Sequence, residues 1–169
     1  VHGSRLKIVK GNFRDIKSIA EVNGFSKVSG ILFDFGVSSH QLDTPGRGFS
    51  IKQDDVLDMR MDKNSKVSAK DIVNTYSKDE LSDIFVRFGE EDKAQEIAQA
   101  IIETRKTQSI ETTAQLVGII KSVKKQTGKF NPAAKVCQAL RREVNGELEA
   151  IKEGLSGSID LLSENARLA

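Results

Sequence analysis

One cysteine, two histidines, two prolines and no tryptophan leave this 169-residue chain short of the residues that several chemistries need. Cys137 alone cannot close an intramolecular disulfide, so a reducing, cytoplasmic compartment is expected. With a single Cys and two distant His there is no zinc-ligand spacing, and no metal site is expected from them. Apolar runs such as Gly30-Ile31-Leu32-Phe33 are far too short to span a bilayer, so no membrane partner is expected. Val1-His2-Gly3-Ser4-Arg5 lacks the basic start, apolar centre and cleavage site of a signal peptide. Beyond Phe49 the only aromatic residues are Tyr76, Phe85, Phe88 and Phe130, which leaves few platforms for stacking nucleic-acid bases.

Charge is plentiful and segregated. The formal net charge is only +2. Yet Asp79 to Glu103 carries eight acidic residues against Arg87 and Lys93, while Thr104 to Arg142 carries Arg105, Lys106, Lys121, Lys124, Lys125, Lys129, Lys135, Arg141 and Arg142 against Glu111 alone. A basic block of this kind is either an electrostatic footprint for a polyanion or a solvated helical face. Composition, with 38% hydrophobic and 30% charged residues, is that of a globular domain.

Along the chain, residues 6–9 read as a short strand followed by a turn at Gly11-Asn12. Ile16, Ile19, Ala20 and Val22 then repeat at helical spacing after Asp15, and Asn23-Gly24 supplies the stop. Residues 30–35 form a near-continuous apolar run, the pattern of a strand buried on both faces of a parallel sheet. Strand, helix and strand make a βαβ unit, with Asp34 at the carboxyl end of its second strand, the edge where open α/β sheets bind ligands.

Residues 36–66 read as a long loop rich in Gly, Ser and Asp, and loops of that length are functional or disordered. Helical signals take over beyond it. Ser77 and Glu80 make a capping box before Leu81, Ile84, Phe85 and Phe88, and Gly89 interrupts that helix. Ala94 to Ile102 forms a second stripe, and another helix opens near Thr112 or Thr113. Asn131-Pro132 opens a long helix with apolar positions 136, 140, 144, 148, 151 and 155, which Gly154 or Gly157 bends or ends. Residues 166–169 stop where another strand begins. A βαβ start followed by about a hundred helical residues indicates an α/β domain with a helical insert.

Within the loop, Asp34 and the segment Gly36 to Asp43 read either as a polar exit from a sheet or as a ligand loop, the latter because a carboxylate buried at a sheet edge needs a partner. For Arg47-Gly48-Phe49-Ser50 and Leu57-Asp58-Met59-Arg60-Met61-Asp62 the residues favour a packed loop, with Arg60 paired to a nearby Asp and the Met side chains filling gaps. His40 is either a base or a solvated loop residue, and Cys137 is packing.

These consecutive elements resemble the signature of the MraW/RsmH methyltransferases. The resemblance continues through Arg87-Phe88-Gly89-Glu90-Glu91, Ala94 to Arg105, and Gln138-Ala139-Leu140-Arg141 with Val144-Asn145-x-Glu147-Leu148, and so covers essentially the whole chain. It implies a partial Rossmann-like methyltransferase sheet with a helical insert domain. On this reading residues 1–45 belong to the methyltransferase domain and 46–69 are a motif-rich connecting loop. Residues 70–145 are a helical insert for RNA recognition, and 146–169 a helix returning to the first domain.

The resemblance further implies S-adenosyl-L-methionine as cofactor and the exocyclic N4 of a cytidine in small-subunit ribosomal RNA as acceptor. Phe13, Asp34 and Gln41 are the implied cofactor-binding residues, and Asp34, Ser38 and Ser39 the candidates near the amine. Arg47, Arg60, Lys121, Lys124, Lys125, Lys129, Lys135 and Arg141 are the expected RNA-facing cations, with Arg47 and Arg60 alternatively organising the loop. Small-subunit RNA or its ribosomal subunit is the expected partner, and a homodimer an expected assembly. The family's glycine-rich cofactor loop falls before Val1 and its Ser-Phe-His-Ser-Leu-Glu-Asp segment after Ala169, so the chain alone is expected to bind cofactor feebly and methylate nothing. His40 stands where the family commonly has proline. The rival expectations are a non-catalytic RNA- or ribosome-binding helical module and a small-molecule methyltransferase.

Overall fold

The structure, a computed structural model, describes residues 6–125 and 131–169. Its helices in chain order are α1 (Ile16–Val22), α2 (Ser39–Asp43), α3 (Ala69–Thr75), α4 (Lys78–Gly89), α5 (Ala94–Arg105), α6 (Thr113–Val123), α7 (Ala134–Asn145) and α8 (Glu147–Leu161). The strands are β1 (Val28–Ile31) and β2 (Leu162–Leu168). This is an α/β protein in two compact units, one made of Val1–Gly36 and Gly146–Ala169, the other of Val37–Asn145. Among the described residues no helix is long and apolar enough to cross a membrane.

In the first unit, β1 and β2 form a two-stranded parallel sheet, with Val28 opposite Leu162 and Ile31 opposite Leu168. The ladder continues past β1 as Phe33 N–H donates to Ala169 O at 2.8 Å. Helix α8 feeds β2 and packs on α1 and on the 3-10 turn Phe13–Asp15.

Two expectations are corrected here. Among the described residues Leu6 to Val9 forms no strand and is exposed; a strand needs a neighbour for its N–H and C=O groups. The strand expected over 30–35 is four residues long and not buried on both faces. Leu32, just past β1, is 81% exposed, and among the described residues β2 is the neighbour of β1 in its sheet. The parallel partner of β1 is therefore β2, more than a hundred residues later, and not residues 6–9.

The second unit holds the core. Leu81, Ile84, Phe85 and Phe88 of α4 pack against α5 and α7, with Ile72, Ile97, Ile101, Leu116, Ile120 and Leu140 completing one buried cluster. The Ser77 capping box forms as read from sequence. Three more start helices the same way: Ser38 with Gln41, Ser68 with Asp71, and Thr112 with Gln115. Asn131 Oδ1 accepts from Ala133 N–H just ahead of α7.

The helix expected to run from Asn131-Pro132 through position 155 is two helices. It breaks at Gly146, whose φ of +55° suits a residue without Cβ. Gly154 and Gly157 lie inside α8 and neither ends it.

Candidate functional site

The carboxyl edge of β1 gathers aromatic rings. Phe13 opens the 3-10 turn, where Asn12 Oδ1 caps Arg14 N–H at 3.1 Å. Phe33 and Phe35 stack at 5.0 Å between centroids and 17° between planes, and Phe13 meets Phe35 at 5.1 Å. Asp34 sits between the stacked pair in sequence, just past β1, and is exposed. Its expected burial is thereby corrected: an exposed carboxylate is solvated and needs no internal partner. Phe13 and Phe33 are half-buried and Phe35 is exposed, and ring faces beside an exposed carboxylate suit a planar base with a polar edge.

Ser38, Ser39 and Gln41 lie in the other compact unit, on the short α2. Gln41 Oε1 accepts from Ser38 N–H at 2.9 Å, and Ser38 Oγ accepts from Gln41 N–H at 3.3 Å. These two residues hold each other as a cap, while Ser39 is exposed at the first helical position. His40 is exposed, with Thr44 Oγ1 3.3 Å from its Nδ1, as a solvated loop histidine would be.

The long loop is well determined by polar contacts. Asp55 accepts backbone N–H groups from Gly46, Arg47, Gly48 and Val56 at 2.8–3.0 Å. Burial opposes ionisation of Asp55, but those N–H groups outweigh it and hold the carboxyl below its ordinary value. Arg60 forks onto Asp58 and donates to Ser65 O at 2.7 Å. Arg47 donates to the carbonyls of Arg60 and Met61, and its guanidinium lies 5.5 Å from the Phe49 ring centroid. Both arginines thus organise the loop, the second of the two roles read from sequence.

Asn145, at the end of α7, clamps the loop from beyond: its Nδ2 donates to Met59 O at 2.8 Å and its Oδ1 accepts from Met61 N–H at 2.7 Å. Met59 between them has φ +62° and is buried, a strained conformation that these contacts over-determine. Neither Asp55 nor Asn145 was singled out by sequence reasoning. Asp55 carried no signal beyond its Gly-rich neighbourhood, whereas Asn145 stood inside a quoted motif.

Loop and α7 together line a cleft of about 260 Å³. Phe49, Ile51, Met59 and Cys137 give it apolar walls, and Gln138 and Arg141, three residues apart on α7, stand on one face of that helix. Burial pushes the Cys137 thiol up to about 12, so it is a neutral apolar wall and not a nucleophile.

The basic block is largely spent inside the helical unit. Arg105 donates to Val73 O and Arg142 to Phe88 O, each at 2.7–2.8 Å, satisfying carbonyls near the ends of α3 and α4. Lys135 donates to Glu90 O at 2.7 Å, and Lys106 pairs with Glu103 at 2.8 Å. Lys124 pairs with Asp92 at 2.6 Å and with the buried Glu91. Burial works against the charge of Lys124, but Asp92 and Glu91 outweigh it and hold its ammonium above its ordinary value. Lys124 and Lys135, among the cations expected to face RNA, are each tied to acceptors of the protein itself. Lys121 and Lys125 are exposed, Arg141 is half-buried, and Lys129 lies outside the described residues.

A family model described as the MraW methylase family matches residues 1–169. The chain is similar to proteins named ribosomal RNA small subunit methyltransferase H from several bacteria. It is 48% identical to that of Fusobacterium nucleatum over 99% of this chain and 53% of the relative. It is 47% identical to that of Persephonella marina over 98% and 57%. For Finegoldia magna the figures are 44% over 98% and 54%. The chain spans about half the length of the curated relatives it matches.

Proposed function

This chain belongs to the MraW methylase family, and from that premise we propose that the protein methylates N4 of a cytidine in small-subunit ribosomal RNA, using S-adenosyl-L-methionine. The observation that carries the reading is the aromatic edge around Asp34, with Phe13, Phe33 and Phe35 packed at the carboxyl end of a parallel strand. That is where open α/β sheets hold nucleotide-like ligands. On this reading the two-stranded sheet is the part of a Rossmann-like domain carried by this chain, and residues 70–145 are its helical insert.

Phe13 offers a ring face to the adenine, and Asp34 supplies a polar group to the cofactor. When bound, S-adenosyl-L-methionine supplies an electrophilic methyl group on a sulfonium. The acceptor N4 is a poor nucleophile because its lone pair is delocalised into the ring. Asp34 carries an exposed carboxylate to take the N4 proton released when the N–C bond forms. The base must leave its stack to be reached. Reading the chain as a non-catalytic RNA-binding module is less well supported, since most cations of the basic block are engaged within the protein.

The test is calorimetric titration of the full-length protein with S-adenosyl-L-methionine, followed by methyl transfer to small-subunit ribosomal RNA and mass-spectrometric assignment of the modified nucleoside. Micromolar binding weakened about tenfold or more by Phe13→Ala, with N4-methylcytidine as product, is the expected result. A methyl group on any other atom overturns the reading.

A further inference from the structure

Resting on the cofactor role proposed for Phe13, we propose that Gly154 is a positioning residue for S-adenosyl-L-methionine: its lack of a side chain lets α8 set where the Phe13 ring stands. Both residues belong to the compact unit made of Val1–Gly36 and Gly146–Ala169. Gly154 is buried in α8, the helix that packs on the 3-10 turn opened by Phe13. A Cβ at Gly154 would stand 3.0 Å from Phe13 O and 3.1 Å from Phe13 Cδ2, whereas relaxed carbon–carbon contacts lie at about 3.5–4.0 Å. At this one point α8 therefore touches both the backbone and the ring of Phe13.

Neither contact yields by itself. Phe13 O already accepts from Ile16 N–H and so closes the turn, and Asn12 caps Arg14 N–H at its start. The Phe13 ring packs on Phe35 and meets Phe33 edge-on. Arg14 pairs with Glu153 at 3.6 Å and Lys17 with Asp160 at 2.6 Å, so the same segment is tied to α8 from positions before and after Gly154. Packed groups of this density pass a displacement on to their neighbours. A Cβ at 154 thus moves Phe13 by a few tenths of an ångström and disturbs the aromatic edge with it. Affinity for a base stacked on that ring falls, while the transfer chemistry, carried by other groups, is left alone.

Gly157, one turn further along α8, supplies the comparison. A Cβ there would meet Lys17 Cβ at 3.3 Å and Ile16 Cγ2 at 3.5 Å, and neither atom belongs to Phe13. The general gain from alanine inside a helix is common to both positions. Only the displacement of Phe13 separates them.

The test uses the full-length protein and S-adenosyl-L-methionine itself, with calorimetric titration and with kcat and KM for methyl transfer to small-subunit ribosomal RNA. Gly154→Ala should raise Kd and the cofactor KM about threefold to tenfold, and leave kcat at saturating cofactor within about twofold. Gly157→Ala should leave all three at their parental values. In a Phe13→Ala background Gly154→Ala should add nothing to the loss, because the ring that it displaces is gone. A parental Kd in Gly154→Ala, a full additional loss in the Phe13→Ala background, or a Gly154→Ala protein that does not fold would make Gly154 a residue of the fold alone and overturn the proposal. Weakened binding in Phe13→Ala beside parental binding in Gly154→Ala overturns this proposal and spares the cofactor role of Phe13. Parental binding in Phe13→Ala overturns both.

Discussion

Asp58 and Arg60 form a two-pronged pair within one loop, Arg60 Nε donating to Asp58 Oδ1 at 2.7 Å and Nη2 to Oδ2 at 3.0 Å. The pair is mostly shielded, and the same guanidinium reaches Ser65 O. Removing it leaves a carboxylate in a low-dielectric loop without its partner. Arg60→Ala should destabilise the protein by about 2 kcal/mol, and Arg60→Lys by less than that, because an ammonium keeps charge but loses the fork. Urea midpoints of the two variants check this. Equal midpoints for parent and Arg60→Ala would return Arg60 to an RNA-facing role.

Acid should loosen the same loop. In Asp58, burial opposes ionisation but the Arg60 hydrogen bonds outweigh it, and the balance at Asp55 falls the same way. Asp71 is held low first by the Ser68 hydroxyl and then by its N–H. A carboxyl lowered by folding contributes stability above the unfolded value of about 3.9, and that contribution is lost as pH falls through the folded values. Urea midpoints measured from pH 7 down to 3 should therefore drop mainly below about pH 4. Asp55→Asn should flatten that drop.

Gly48 is the position in the loop least able to accept a side chain. Its φ is +67°, and a Cβ there would stand 2.2 Å from Val56 O and 2.8 Å from Asp58 N. Both obstacles are backbone, so neither swings aside. Gly48→Ala should cost on the order of 3 kcal/mol and disorder the cleft, visible as lost amide protection over residues 46–60.

Among the lysines of the basic block, two kinds of response are expected. Lys124→Ala strands Glu91, whose side chain is fully buried, and should cost about 3 kcal/mol of stability. Lys121→Ala with Lys125→Ala should leave stability within about 0.5 kcal/mol and instead weaken binding to small-subunit RNA. The slope of log affinity against log salt should fall by about one to two for that pair. A steep slope unchanged in the double variant would assign both lysines to solvent.

Much of this was legible in the residues themselves. Helices α4, α5 and α6 follow from apolar spacing and from Ser77-x-x-Glu80 and Thr112, because those signals act within a few residues. The same reasoning applies to Ser38-x-x-Gln41, a capping box legible in the sequence. The strands were misread because a strand is defined by its partner, and the partner of β1 lies at residues 162–168. Likewise, counting cations from Thr104 to Arg142 gives charge but not its neighbours: Arg105, Lys124, Lys135 and Arg142 meet carbonyls or carboxylates that only folding brings near.

The pairing of Val28 with Leu162 also sets an order of events during synthesis. Every residue of Val37–Asn145 precedes β2 in the chain, so the contacts within that unit need nothing from it, whereas β1 is made early and must wait for its partner. The helical unit is thus free to mature while the sheet is still an open chain, and the parallel ladder is the last and slowest step, as non-local pairing generally is. An interval in which Leu32 and its apolar neighbours have no ladder to join is the interval in which a chaperone would find this nascent chain.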